Sequence, residues 1–137
     1  MISFDTLWGN HPGLYSKPCN FMNQCAIRMG IAFQKSNISL STFNGSKCWH
    51  EHSPRHILRA QELADWMKDN PGTFGIMKEF SNVSSSSFQG FKGIVFIKDG
   101  WGSTDHIDLW NGSTMKAGEA AYLDLGKSVW FWNLTYA

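Results

Sequence analysis

The 137-residue sequence has few charged residues and concentrates neither sign. Lys and Arg number 12 and Asp and Glu number 11, so the formal net charge is +1, and charged residues make up 17% of the chain. Proteins that bind along a nucleic-acid backbone usually carry a cluster of basic residues. The sequence has no basic block of that kind, and we therefore expect no nucleic-acid partner.

Long apolar runs are also lacking. No window approaches the roughly 18 consecutive apolar residues of a transmembrane helix, so we expect no membrane insertion. The first residues, Met1-Ile2-Ser3-Phe4-Asp5, lack the basic region and the apolar stretch of an N-terminal secretion signal. We expect a protein that is either intracellular or exported by a route that reads no such signal.

Cysteine is scarce, and its count is odd. The three cysteines are Cys19, Cys25 and Cys48, so at least one thiol has no intramolecular partner. Cys19 and Cys48 both lie in loop-like sequence. They could form a disulfide in an oxidising compartment or remain free thiols.

Apolar and aromatic residues are plentiful by contrast. The apolar fraction is 42%, and the aromatic fraction of 15% includes 7 Trp and 10 Phe. This composition excludes an intrinsically disordered chain, and the length predicts a single domain over residues 1–137. The aromatic content favours a tightly packed interior or an aromatic-lined cleft.

Helical signals occupy the first half of the chain. We predict a helical turn near Phe4–Trp8 and a helix over residues 23–36 with Asn23 as its N-cap. Ser53-Pro54 predicts the start of a further helix that ends before Asn70.

Strand signals dominate the second half. A serine run at residues 84–87 predicts a loop, and Asp99-Gly100 and Asn111-Gly112 predict turns. The predicted strands are Gly93–Ile97, His106–Trp110 and Val129–Leu134. Helices followed by antiparallel strands predict an α+β fold, with the N-terminal helices packed on a C-terminal sheet.

Cys25 is the leading candidate for a catalytic residue. It falls in the first turn of a predicted helix, where the helix dipole and the free N–H groups stabilise a thiolate. A thiolate is the nucleophile of cysteine hydrolases, and the neighbouring N–H groups can bind an oxyanion. The alternative is an inert cysteine buried in the core.

His106 is the candidate general base. It opens a predicted strand beside a loop, and a helix-borne cysteine followed by a strand-borne histidine is the papain-like order. Asp108 lies on the same strand face as His106 and is the preferred orienting residue, although it is about 6.6 Å away along the strand. Asn111 in the following turn is the other nearby candidate.

Two further sets of side chains suggest binding sites. Tryptophan side chains near the segments that carry Cys25 and His106 could line a substrate groove, although core packing is the alternative. They are Trp49, Trp101 and Trp110. A weak zinc signal comes from Cys48, His50, His52 and His56. Because Ser53-Pro54 interrupts that set, we expect no metal, and attack by a thiolate requires no organic cofactor.

Several motifs in chain order resemble the fourth family of type VI secretion amidase effectors. The segment Asn23-Gln24-Cys25-Ala26-Ile27-Arg28-Met29-Gly30 resembles its nucleophile motif, and Asp105-His106-Ile107-Asp108-Leu109-Trp110-Asn111-Gly112 resembles its histidine motif. Thr6–Pro12, His56–Trp66 and Ser128–Trp132 are similar as well.

This resemblance implies a papain-like fold of the NlpC/P60 kind. It also implies a toxin that cuts the D-glutamyl–diaminopimelate bond of peptidoglycan stem peptides in the periplasm of a target bacterium. The type VI secretion apparatus and a cognate immunity protein would be its partners. A catalytically inactive module that binds the cell wall or a partner protein is the alternative function.

Within the resemblance, Cys25 corresponds to the nucleophile and His106 to the base. Some members carry an acidic third residue at a position that is Ala117 here. The third group is therefore Asp108, Asn111 or Glu119, or the site is a dyad.

Overall fold

The computed structural model describes residues 2–14, 24–47, 56–101 and 104–137. Its helices are α1 (Phe4–Asn10), α2 (Cys25–Lys35), α3 (Ala60–Lys68) and α4 (Pro71–Phe74). Its strands are β1 (Lys78–Phe80), β2 (Gly93–Trp101), β3 (Thr104–Trp110) and β4 (Ser128–Asn133). The predicted α+β fold is confirmed. No helix in these ranges is both long enough and apolar enough to span a bilayer.

The four strands form one antiparallel sheet in the order β1-β4-β2-β3. β3 is an edge strand of that sheet, and it pairs with β2 so that Ile97 lies opposite His106 and Val95 lies opposite Asp108. The register shifts between Ile97 and Trp101. There the Asp99 N–H donates to Asp105 Oδ1 at 2.8 Å, which ties the two strands together just before His106.

The two faces of the sheet are covered by different parts of the chain. Ile107 and Leu109 of β3 belong to the core shared with α1, α2 and α3. Trp110 belongs to a second core on the other face, under the 3₁₀ helices Ser85–Phe88 and Ala120–Asp124. Because side chains alternate along a strand, His106 and Asp108 share the face of Trp110.

Helix α2 lies beside the edge strand β3 and is almost completely buried. Seven of the eight residues from Cys25 to Ala32 are buried, and Ile31 is the exception. Such a helix has apolar contacts on most of its circumference, which fixes its position firmly. Its first residue, Cys25, is thereby held against the strand that carries His106.

The helix that was predicted to start at Ser53-Pro54 begins later. Residues 53–55 lie outside the described ranges, but residues 56–59 are not helical and α3 starts at Ala60. Ile57 instead forms an antiparallel bridge with Lys47, and the Leu58 N–H donates to Ser46 O at 3.0 Å. The extended pairing holds this segment out of the helix, so the predicted start is wrong. Asn23, the predicted N-cap of α2, also lies outside the described ranges, and Gln24 precedes the helix.

Two predictions in the middle of the chain need correction. The serine run is not a loop, because Ser84 and Ser87 form a reciprocal capping box that starts the 3₁₀ helix Ser85–Phe88. β1 was not predicted, because its three residues are all exposed and show no alternation of apolar and polar side chains. The other three strands were predicted in the right places, with ends that differ by a few residues.

Candidate active site

Cys25 occupies the first position of α2. The first intrahelical bond runs from the Arg28 N–H to Gln24 O at 2.9 Å, so the amide of Cys25 precedes the hydrogen-bonded ladder. The thiol is 7% exposed, and its Sγ lies 4.0 Å from Asp105 O, just before His106 in the chain. The structure therefore places the predicted nucleophile at the positive end of a buried helix and next to β3.

His106 and Asp108 lie side by side on the same face of β3. His106 Nε2 is 2.9 Å from Asp108 Oδ2, although the sequence spacing had suggested a contact at the limit of reach. The His106 side chain is 13% exposed, whereas the Asp108 side chain is fully buried. Since Nε2 bonds to the carboxylate, Nδ1 is the ring nitrogen left for the hydrogen bond between His106 and Cys25.

The Asp108 carboxylate is held mainly by backbone amides. Oδ1 accepts from the Leu109 N–H at 2.8 Å, Oδ2 accepts from the Gly118 N–H at 2.7 Å, and both oxygens lie 3.2 Å from the Ala117 nitrogen. A buried carboxylate is strongly destabilising unless its lone pairs are satisfied. Three amides and one imidazole bond to this one, and each of them restricts how the carboxylate can turn.

The surroundings of His106 favour its protonated form. Burial by itself lowers the pKa of the ring, but the hydrogen bonds to Asp108 and Cys25 and the charges of both groups outweigh it and raise the pKa to about 9. His106 is therefore an imidazolium at neutral pH. The ring lies between the side chains of Cys25 and Asp108, where a proton carrier could serve both.

Gly118 and Tyr122 enclose the pair of His106 and Asp108. The Tyr122 ring stands at 86° to the His106 ring with 5.1 Å between centroids. A Cβ on Gly118 would lie 2.8 Å from His106 Nε2 and 2.7 Å from the Tyr122 ring, so the backbone passes this point only because the residue is glycine. No pattern in the sequence indicated either role.

A second histidine, His11, also faces the carboxylate. Its Nε2 lies 3.9 Å from Asp108 Oδ1, and its side chain is 1% exposed. Burial is the main cause that lowers the pKa of His11 to about 4, against the raising effect of Asp108. His11 belonged to a motif of the resemblance, but no role was predicted for it.

The other candidates for the third residue have different partners. Asn111 Oδ1 accepts from the backbone N–H groups of Ser113 and Thr114 at 3.0 and 2.8 Å, which closes the turn after β3. Glu119 is exposed and precedes the 3₁₀ helix Ala120–Asp124. Of the three alternatives, Asp108 is the one that the structure places on His106.

The role predicted for Trp110 is wrong. Trp110 is 1% exposed in the second core, and its Nε1–H donates to Phe88 O at 3.0 Å, so it packs there and not beside Cys25. Trp110 shares the face of His106 but stands at the far end of β3, among the packed side chains of the second core. Trp49 lies outside the described residues, and the Trp101 side chain is outside them too.

The metal and disulfide alternatives involve residues that are not described. Cys19, Cys48, His50 and His52 all fall outside the ranges of the structure. Within those ranges, no three His, Cys, Asp or Glu side chains are grouped as a metal site would require.

Comparisons with known proteins converge on one family. The family model described as type VI secretion system amidase effector protein 4, Tae4, matches residues 21–132. No curated protein matches the sequence.

Solved structures match over nearly the whole chain. Tae4 of Salmonella typhimurium, crystallised in complex with Tai4 immunity protein, is 21% identical with a TM-score of 0.79, covering 98% of this chain and 99% of that chain. Tae4 of Enterobacter cloacae is 18% identical with a TM-score of 0.77, covering 98% and 97%. At these identities the structural likeness shows a shared fold.

Proposed function

The chain belongs to the Tae4 family of type VI secretion amidase effectors, and we propose that it kills by cutting the D-glutamyl–diaminopimelate amide of peptidoglycan stem peptides. The observation that carries the chemistry is the position of His106, which is hydrogen bonded to Cys25 and to Asp108 at once. The family supplies the class of reaction, and this array supplies a nucleophile, a proton carrier and an orienting group.

The first half of the reaction forms an acyl-enzyme. The Cys25 thiolate attacks the amide carbonyl, and the negative charge that develops on the oxygen is stabilised by the Cys25 N–H at the start of α2. His106 then gives its proton to the leaving amine, and the C–N bond breaks. An imidazolium is the required starting form, which agrees with the raised pKa of His106.

The second half returns the enzyme to its starting state. Neutral His106 takes a proton from water, the resulting hydroxide attacks the thioester, and the Cys25 thiolate leaves. Asp108 holds Nε2 throughout, so Nδ1 remains directed at the reacting atoms. No cofactor enters these steps.

The proposed partners follow from the family. Related Tae4 proteins have been crystallised with Tai4 immunity proteins. We infer that this chain is likewise neutralised by a cognate immunity protein in the producing cell. Delivery by the secretion apparatus would place the enzyme in the periplasm of the target, where its peptidoglycan substrate lies.

Mass spectrometry of digested muropeptides tests the proposal. Purified protein should release a new amino terminus on diaminopimelate and a free carboxylate on the D-glutamyl residue, and Cys25→Ala should abolish both. Cys48→Ala is the matched thiol control and should retain activity, as should wild-type protein treated with a strong chelator. Cleavage by Cys25→Ala would contradict the mechanism. Cleavage by the wild-type protein at another bond would contradict the proposed bond. Sedimentation with peptidoglycan without any cleavage would favour a binding module.

A further inference from the structure

The segment after α1 carries a buried histidine that the proposed mechanism does not use. His11 is the C-cap of α1, where its N–H donates to Leu7 O at 3.0 Å. A buried imidazole is expensive to desolvate, so its polar atoms need defined partners. Both ring nitrogens of His11 face polar groups.

The first of these contacts fixes the tautomer of His11. The Gly13 N–H donates to His11 Nδ1 at 3.0 Å, and Gly13 turns the chain back with φ of 70°. A nitrogen that accepts a hydrogen bond carries no proton, so the neutral ring carries its proton on Nε2. The pKa of about 4 keeps the ring neutral at ordinary pH.

The second contact places the Nε2 of His11 near the Asp108 carboxylate. His11 Nε2 lies 3.9 Å from Asp108 Oδ1, while His106 binds Oδ2 at 2.9 Å. The longer distance exceeds a hydrogen bond, but an N–H dipole still acts on a carboxylate at this range in a buried site. The other charged or titratable groups that act on His11 are Lys116, Arg28 and His106.

Helix α1 also touches the loop that holds Asp108, through Trp8. Lys116 Nζ lies 4.8 Å from the centre of the Trp8 ring, and the Lys116 N–H donates to Leu109 O at 3.0 Å. The next two residues, Ala117 and Gly118, give their N–H groups to the carboxylate. The N-terminal segment, residues 4–13, therefore borders Asp108 directly through His11 and also through the loop of Ala117 and Gly118.

We propose that His11 is a positioning residue, whose Nε2–H orients the Asp108 carboxylate and through it the ring of His106. The inference rests on the proposed function for its kinetic consequence only. The N-terminal segment is then part of the catalytic scaffold, and the effect of His11 on the reaction passes entirely through Asp108.

Two substitutions separate the two ring nitrogens. In His11→Gln the amide nitrogen can occupy the place of Nε2 and still donate to Asp108. In His11→Asn the amide reaches only the place of Nδ1, so the contact with Gly13 is kept and the donor to Asp108 is lost. We expect Asn to lower kcat about tenfold with KM changed less than about twofold, and Gln to restore kcat to within about threefold of wild type.

A double-mutant cycle shows whether the effect passes through Asp108. In an Asp108→Asn background, His11→Asn should cause no further loss of kcat. Ser36→Ala is the control for loosening of the same segment, because it removes the acceptor of the Asn10 Nδ2 hydrogen bond and touches neither nitrogen of the His11 ring. It should leave kcat unchanged.

A measurement without substrate keeps this test separate from the proposed function. NMR titration of the His106 ring should give a pKa lower in His11→Asn than in wild type and near wild type in His11→Gln. Three results would each overturn the inference. They are equal effects of the Asn and Gln substitutions, a His106 pKa that is unchanged or higher in His11→Asn, and a loss of kcat that is equally large in the Asp108→Asn background. If peptidoglycan is not cleaved while the titration behaves as expected, the proposed function fails and the positioning role stands.

Discussion

His106 and Asp108 stand 2.9 Å apart at Nε2 and Oδ2, although only one residue separates them on β3. The base and its orienting carboxylate are therefore carried by one short length of edge strand, while the nucleophile comes from the start of α2. The alignment of the site depends on how α2 packs against β3. Apolar burial of α2 provides that packing.

Replacement of Asp108 should damage turnover more than folding alone would explain. We expect Asp108→Asn and Asp108→Ala to lower kcat by up to about 10⁴-fold, since His106 loses both its orientation and its charge partner. Asn111→Ala and Glu119→Ala are the matched controls and should stay within about threefold of wild type. Turnover of muropeptides, with circular dichroism as a check on folding, gives the comparison. Wild-type turnover in Asp108→Ala would instead describe a dyad of Cys25 and His106.

Alkaline pH should inactivate the enzyme by removing the proton from His106. The raised pKa predicts that kcat/KM falls as the pH rises through about 9. In Asp108→Asn the same fall should occur at lower pH, because the carboxylate that raises the pKa of His106 is lost. The pH profiles of the two proteins on one muropeptide provide the measurement. Coincident alkaline limbs would show that the limb reports another group.

The two histidines should limit stability on opposite sides of pH 6.5. The pKa of His11 is lowered to about 4, so its contribution is present above 6.5 and is lost as the pH falls through 4. The pKa of His106 is raised to about 9, so its contribution is present below 6.5 and is lost as the pH rises through 9. Each contribution is about 3 kcal/mol.

Urea unfolding at several pH values checks this linkage. Each substitution should remove one part of the pH dependence of the unfolding free energy. His11→Gln should remove the decrease at acidic pH, and His106→Gln should remove the decrease at alkaline pH. A stability profile that is unchanged in shape by either substitution would contradict the assigned pKa directions.

Gly118→Ala should disturb the site through its Cβ alone. That carbon would meet His106 Nε2 at 2.8 Å and the Tyr122 ring at 2.7 Å, so the loop must move away and weaken the amide bonds to Asp108. We expect a loss of about 1–3 kcal/mol in unfolding free energy and a fall in kcat. Gly72→Ala is the control, because its Cβ would meet nothing within 4 Å. Equal kcat in the two variants would show that the loop adapts freely.

Trp110→Phe should lower stability and leave catalysis intact. The substitution removes the Nε1–H donated to Phe88 O, a carbonyl that keeps a second donor in the Phe91 N–H at 3.0 Å. We expect a loss of about 1 kcal/mol in unfolding free energy and unchanged kcat/KM per folded molecule. A rise in KM without a change in stability would restore Trp110 as a groove residue.

The sequence predicted most of the fold because apolar spacing and turn residues are local signals. Local patterns indicated the helix over residues 23–36, which the structure has as α2, and they indicated three strands correctly. The start of α3 was missed because Ile57 pairs with Lys47, a contact between segments that no local pattern contains. β1 was missed for a related reason, since its three residues are ordered by pairing with β4.

The sequence also predicted the residues that the structure places together at the site, but not their supports. Cys25, His106 and Asp108 belong to types whose chemistry can be read from their position on a helix or strand. Ala117 and Gly118 act through backbone amides, and His11 reaches Asp108 from 97 positions away in the chain. Residue type carries no information on such contacts, so spacing arguments could not find them.

The amides that hold Asp108 belong to the main chain, so the bond from Ala117 does not depend on which side chain that position carries. Gly118 in the same loop has no room for a Cβ, but replacements of Ala117 that fit its buried position keep the donor to the carboxylate. Proline is the exception, because it has no amide hydrogen to give. A comparison of sequences that counts identical letters at this position would therefore underestimate how strictly the geometry is preserved.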